Sequence, residues 1–385
     1  MIKKQDGFTL VELMITMVVF VFVIAAASQV FVGLLNQFKQ QSKIAETNIE
    51  GIVGLQMLRS DIEQAGYGLP FNINGASYNE AANDAATAHD DTAYNDSTTN
   101  PPRALLLDDN TGLNSSDILV IKATNIALND PSHKWSYITN TAAGNVIQVW
   151  RDINGTAITD ENLQTNDRVI VLMPILGPQQ RVLVNTGPAT FFTTFTGGAT
   201  PSIPAAFSPV NGSFETYLIY GIKPAGGPPA VEPRMPFNRA DYYIKVPGTL
   251  PQRCAPGTGV LYKATINHDN GNLTELPILD CVADMQLVAA LDSDDNGATD
   301  SFSTSLLAGT TAEGIRNQLR EVRVYILAHE GQLDINYTYP NATINITDPD
   351  AGLLKAFDLN ATIGASNVNY RWKIYRMAVR PYNLR

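Results

Sequence analysis

Apolar residues run almost without a break from Leu13 to Leu35, and the pattern then changes. Over the first stretch a helix would be apolar on every face. Beyond it, Ile44, Ile52, Leu55, Leu58 and Ile62 recur near helical spacing among Gln, Lys, Glu and Asn. Such a stripe predicts an amphipathic helix lying on a sheet. No proline precedes Pro70. Residues 9–65 therefore predict one continuous helix, about 85 Å long at a rise of 1.5 Å per residue. Gly51 and Gly54 weaken its second half by about 1 kcal/mol each relative to alanine. The run Gly66-Tyr67-Gly68-Leu69-Pro70 is a strong helix stop.

From residue 71 to 102, Asn, Asp, Ala, Ser and Thr dominate, which predicts a long loop or a mobile excursion. The remainder reads as strands punctuated by Gly, Pro and Asn, at 117–122, 146–150, 168–173, 181–184, 216–222, 242–246, 259–266, 285–291, 321–328 and 370–380. Residues 312–319 predict a short helix. The stretch 197–236 is rich in Pro and Gly and predicts loop, broken by the strand at 216–222. No internal repeat is evident. The expected class is α+β: a long N-terminal helix packed on a large, mainly antiparallel β-sheet domain.

Composition bounds the function. Of 385 residues, 44% are hydrophobic and 16% charged, with a formal net charge of −11. Lys3, Lys4, Asp6 and Glu12 cancel within the first 35 residues, so the whole excess lies beyond residue 35. An acidic domain repels nucleic-acid phosphate, and direct nucleic-acid binding is disfavoured. Lys3 and Lys4 precede the apolar run and no Lys or Arg recurs before Lys39. The positive-inside rule places the N-terminus in the cytoplasm and the bulk outside. The two cysteines, Cys254 and Cys281, read in an exported domain as one disulfide, the alternative being two buried thiols. Closing that loop contributes about 3 kcal/mol in the chain-entropy picture.

Glu12 is the expensive residue, because a carboxylate inside a membrane segment needs a partner. Cleavage after Gly7 would free the α-amine of Phe8, four residues from it. The segment Lys4-Gln5-Asp6-Gly7-Phe8-Thr9-Leu10-Val11-Glu12-Leu13-Met14 closely resembles the class III leader of type IV prepilins and type II secretion pseudopilins. That resemblance implies cleavage by prepilin peptidase between Gly7 and Phe8, methylation of the new terminus, and a charge pair between Phe8 and Glu12 that sets register during assembly. The rivals are an ordinary secretory signal cut after Ala25-Ala26-Ala27 and a plain N-terminal anchor.

The resemblance extends downstream. Leu58-Arg59-Ser60-Asp61-Ile62-Glu63-Gln64-Ala65-Gly66-Tyr67 is similar to the end of the anchor helix in the PilW family of minor pilins. Residues 116–121, 259–263, 319–327 and 370–384 resemble its strands. It implies a leader at 1–7, a transmembrane and assembly half of the helix at 8–35, an amphipathic half at 36–66, and a β-rich domain at 67–385 with insertions at 71–102 and 197–236. It also implies a life held once across the inner membrane, then on a cell-surface pilus. The implied partners are the membrane, prepilin peptidase, the inner-membrane assembly platform, and other minor pilins and the major pilin through the helix. The implied role is to prime the fibre or cap its tip. A bulky type II secretion pseudopilin and an anchored β-domain adhesin are the alternatives.

Asp292, Asp294, Asn296, Ala298 (through its carbonyl) and Asp300 place oxygens as a Ca²⁺ loop does, with Gly297 at the turn. Ser303 stands where a full EF-hand loop carries Glu. The two readings are a weak Ca²⁺ site and a solvated acidic turn; no cofactor is required. His89, His133, His268 and His329 are scattered. No phosphate loop, dinucleotide fingerprint, nucleophile elbow or zinc helix motif occurs. The expectation is no enzymatic activity and no catalytic residue. Trp135, Tyr137 and Trp150 read as core.

Overall fold

A computed structural model describes residues 9–84, 87, 89–175, 181–210, 212, 214–226, 232–364 and 368–384. The helix α1 spans Leu10–Gln64. Just past it, Gly66 takes φ +82°, a left-handed conformation that favours glycine. A β-carbon there would also lie 2.7 Å from the Leu384 side chain.

The main sheet is antiparallel, in the order β1 (Leu105–Asp108), β2 (Ile118–Ala123), β9 (Asn238–Lys245), β10 (Gly259–Ile266), β11 (Leu273–Leu291), β13 (Leu319–Glu330), β16 (Arg371–Val379). The short β12 (Ser301–Ser303) pairs with β11, and α2 (Ala312–Gln318) precedes β13. A second antiparallel sheet has the order β4 (Gly144–Ile147), β3 (Trp135–Thr141), β8 (Thr216–Lys223), β5 (Arg168–Pro174), β6 (Arg181–Leu183), with β7 (Thr193–Thr194) beside β5. A hairpin of β14 (Thr343–Asp348) and β15 (Gly352–Asp358) and a turn of helix, α3 (Leu359–Thr362), lie between β13 and β16 in the chain.

Strand periodicity distributes the core. Along β13, Val322, Val324, Ile326 and Ala328 join the cluster that contains Leu58 and Ile62 of α1. The intervening Tyr325 and Leu327 join Ile344, Ile346 and Phe357 of the hairpin. Successive side chains leave a strand on opposite faces, so this sheet is covered on both. That explains why all six residues of β2 are buried and why the strands read as near-continuous apolar runs.

The two helix glycines have a reason. A β-carbon on Gly54 would stand 1.8 Å from the Ile278 carbonyl oxygen, and one on Gly51 3.1 Å from Leu279. The lost propensity permits close approach of helix and strand. Asp61 anchors the same face, accepting from the Tyr242 hydroxyl and lying 2.5 Å from Lys263 Nζ. Ile52, placed by its spacing in the buried stripe, is instead 65% exposed.

Of the two readings of segment 71–102, its described residues take that of a long loop, one fastened to the domain. It carries almost no regular structure, yet Ile73, Ala76, Tyr78 and Tyr94 are buried in the main core. A charge network on the main sheet fastens it. Lys122 of β2 reaches Glu80 at 2.7 Å and Asp96 at 2.6 Å. Arg239 of β9 donates to both oxygens of Asp241 at 2.7 Å, to Asn95 Oδ1 and to the Asp91 carbonyl. It lies 3.3 Å from Glu80. His89 meets Asp241 at 2.9 Å and stacks between Tyr94 and Tyr243. Burial raises the Asp241 pKa, but Arg239 and His89 outweigh it and hold the carboxyl below its ordinary range. Composition alone misses this segment because ion pairs as well as apolar residues tie it down.

Candidate functional site

Gly7 and Phe8 lie outside the described residues. Glu12 sits in the first turn of α1, where Thr9 is the N-cap. Thr9 donates its backbone N–H and its hydroxyl to Glu12 Oε2, both at 2.9 Å. Thr9 Oγ1 accepts from the Glu12 N–H at 3.3 Å. This reciprocal box satisfies orphan donors at the helix start. It also puts a negative charge where the helix dipole favours one. The carboxylate is thus held at a fixed place on the helix, with its second oxygen able to accept from a cationic partner.

The segment Leu10–Ile44 is long and apolar enough to cross a membrane, and none of its most apolar window is buried. Phe22, for example, is 72% exposed. A continuous apolar face of this size demands lipid or neighbouring helices as cover. The second half of α1 is gripped by the sheet through Leu58, Ile62 and the glycine contacts. One helix therefore joins an uncovered apolar rod to a folded domain.

Cys254 and Cys281 are joined in a disulfide. His329 packs beside it, accepting the Ala255 N–H on Nε2 at 2.9 Å. Burial pushes the His329 pKa down to about 3, and His268, buried near Lys223, also falls to about 3. Both imidazoles are neutral at neutral pH. Trp150 donates its indole N–H to the Trp135 carbonyl at 2.9 Å, and the two rings lie 5.0 Å apart.

The acidic loop does draw its carboxylates together: ligand atoms of Asp292, Asp294 and Asp300 lie within 4.8 Å of one another. Asn296 turns its Oδ1 to the Ala298 N–H at 2.8 Å. Ser293 donates to Asp300 through N–H and hydroxyl at 2.9 and 3.0 Å. The residue that sequence reasoning missed is Arg320, whose Nη2 and Nε meet Asp292 Oδ2 at 2.6 and 3.1 Å. A protein cation already offsets part of the repulsion. The oxygen set suits a hard cation, which would share Asp292 with this guanidinium.

Residues 2–28 match a family model described as the prokaryotic N-terminal methylation motif. No curated protein and no solved structure matches the chain. The matched stretch takes in Gly7, Phe8, Glu12 and the first half of the apolar helix. It supports a type IV pilin-like or pseudopilin-like chain, processed by prepilin peptidase and structural rather than enzymatic. With the exposed apolar helix, it fits membrane anchoring before assembly.

Proposed function

We propose that this chain is a minor pilin of the PilW kind that helps prime a type IV pilus or cap its tip. The observation that carries the reading is the methylation motif on a helix whose first half is uncovered and whose second half is bound into a large acidic domain. Before assembly, lipid covers the apolar half with the N-terminus in the cytoplasm. During assembly, neighbouring pilin helices replace the lipid. Prepilin peptidase frees Phe8, and its amine pairs with a Glu12 carboxylate. A charge pair in a low dielectric tolerates no axial slip, because slip leaves both groups uncompensated. The bulk of the domain favours the tip over the shaft of a thin fibre.

The test is Glu12→Ala. The variant should still insert, since losing a charge eases insertion, and its domain should keep the wild-type melting temperature. Its recovery in detergent-extracted complexes with partner pilins should drop at least severalfold. Wild-type recovery would remove the register role.

We also propose that Asp292, Asp294, Asn296, Ala298 and Asp300 hold Ca²⁺ weakly, with a Kd of about 10⁻⁴–10⁻³ M. The convergent carboxylates support this, and the Arg320 contact keeps the affinity low. Full-length protein in detergent should melt higher in millimolar Ca²⁺ than in chelator, since a ligand bound only by the folded state stabilises it. Asp292→Ala with Asp294→Ala should abolish the difference. Identical wild-type melting in both buffers would leave the segment an acidic turn closed by Arg320.

A further inference from the structure

Lys122 of β2 is fully buried and meets two carboxylates at once. Its Nζ lies 2.6 Å from Asp96 Oδ2 and 2.7 Å from Glu80 Oε2. We infer that Lys122 and Asp96 condense into an amide cross-link between their side chains, with Glu80 carrying the protons. The cross-link is a covalent modification that needs no second enzyme, cofactor or oxidant.

Each group stands where such a condensation requires it. The nucleophile is the Lys122 amine, with no exposed side-chain surface and the Phe237 ring 5.7 Å from Nζ. A dry site keeps water from competing for the carboxyl carbon. The electrophile is the Asp96 carboxyl carbon. Arg103 holds that carboxyl, with Nε on Oδ1 at 2.5 Å and its backbone N–H on Oδ2 at 2.9 Å. An oxygen held by a guanidinium can take up the charge that develops during addition. The base is Glu80, also buried, whose Oε1 accepts the Asp96 backbone N–H at 2.8 Å. Base and electrophile are thus tied to each other and to one amine. Groups already in contact react as if at very high concentration. Lys263 shows the contrast. It is buried and lies 2.5 Å from Asp61, which accepts from the Tyr242 hydroxyl. Among the described residues no second carboxylate is paired with it.

Glu80 takes one proton from the Lys122 ammonium and passes it to Asp96 Oδ2. The amine adds to the Asp96 carboxyl carbon, and Arg103 meets the charge on Oδ1. Glu80 takes a second proton from nitrogen and delivers it to Oδ2, which leaves as water. The third hydrogen stays on the amide nitrogen, Oδ1 becomes the amide carbonyl, and Glu80 ends as it began. Before reaction the pair is ionised: burial raises the Asp96 pKa, but Lys122 and Arg103 outweigh it and hold the carboxyl below its ordinary range. The bond forms once per chain, so a minor reactive population suffices. Condensation also removes two buried ions, which are costly to keep from water. It strands none, because the cations Arg103 and Arg239 remain beside the anions Glu80 and Asp241.

The bond would join β2 to the segment 71–102, which has little regular structure of its own. Unlike the ion pairs around it, it would survive unfolding of the domain. The inference stands apart from the assembly reading, since a chain that never enters a fibre would still cross-link.

The experiment is peptide mass mapping of the full chain, purified in detergent, denatured and digested with trypsin. Trypsin does not cut after an acylated lysine. The expected product is a branched peptide in which residues 60–103, carrying Asp96, are joined to residues 104–134, with Lys122 uncut. It should be lighter by one water than those two segments summed. Lys263 should be cut, and after denaturation should accept an amine reagent. Asp96→Ala should restore cutting and labelling at Lys122. Glu80→Gln, made by cell-free synthesis under oxidising conditions and sampled with time beside wild type, should form the bond at least about a hundredfold more slowly, a usual contribution of a positioned acid–base group. The Cys254–Cys281 disulfide in the same map reports whether the variant has folded, and the wild-type map decides on the bond in either case. Free, cut Lys122 in folded wild-type protein, a blocked Lys122 in the Asp96→Ala variant, or a wild-type rate in folded Glu80→Gln would overturn the inference.

Discussion

Arg239→Met unfolds or nearly unfolds the domain. Arg239 is fully buried and holds Asp241, Asn95 and the Asp91 carbonyl, with Glu80 in reach. Methionine keeps much of the stem and removes the charge. Asp241, buried with no exposed side-chain surface, then loses its guanidinium partner, while Glu80 falls back on Lys122 alone. Removing one partner of a buried pair typically costs about 3–5 kcal/mol, because the remaining charge is uncompensated. Domain stabilities are about 5–15 kcal/mol, so the loss is a large fraction of the whole. Chemical denaturation monitored by tryptophan fluorescence should show it. Protease should also cut within 71–102, since Arg239 and Lys122 fasten that segment to the sheet. Adding Asp241→Asn should recover part of the loss, because Asp241 loses its two-point partner while Glu80 keeps Lys122 at 2.7 Å. A single variant within about 1 kcal/mol of wild type, the range of ordinary surface changes and mild substitutions, would show that the network does not hold the segment.

Gly54→Ala is the second large effect, and propensity and packing give it opposite signs. Helix propensity alone favours alanine by about 1 kcal/mol. The added β-carbon, however, would stand 1.8 Å from the Ile278 carbonyl oxygen and 2.7 Å from its carbon. These are backbone atoms of β11, so no side-chain rotation relieves the clash. Helix and sheet must separate, at a cost of about 1–3 kcal/mol or more for overpacking. Gly51→Ala is the matched control, because its nearest neighbour is the flexible Leu279 Cδ1 at 3.1 Å. Amide exchange across residues 51–64 should rise sharply in the Gly54 variant and little in the Gly51 variant. Equal behaviour of the two would remove the close approach as the reason for glycine.

These two residues mark what can be read from the chain. The helix is legible almost end to end, because an unbroken apolar run, a later stripe and a Gly-Pro stop are local signals. The strand at 259–266 coincides with β10, and the helix at 312–319 with α2 to within a residue. Strand β11 is legible only from residue 285, yet begins at Leu273. Pro277 and its acidic neighbours hide its first half, and pairing with β10 is irregular near there. The hairpin β14–β15 escapes a sequence reading although β14 alternates exposed and buried residues. Two short strands with polar faces raise no strong signal alone. Lys122 and Arg239, each a charge inside a buried strand, are the available hint that 71–102 is fastened. Their partners are up to 159 residues away in sequence, so pairing emerges only in three dimensions. Arg320 escapes for the same reason: its claim on Asp292 depends on the register of β11 and β13.

Of the candidate site, the N-terminal motif is legible because the pattern matched at residues 2–28 is a local one. The Thr9 box around Glu12 adds geometry to that pattern.

On the proposed reading, this chain is processed and assembled as a pilin-like subunit. Intact-mass and N-terminal peptide analysis of protein purified from membranes of a host with prepilin peptidase tests it most directly. The expected result is a mature chain beginning at N-methylated Phe8, with the uncut form accumulating when Gly7 is replaced by a bulky residue. A mature terminus at Ser28, or an intact Met1 in the presence of active peptidase, would contradict it.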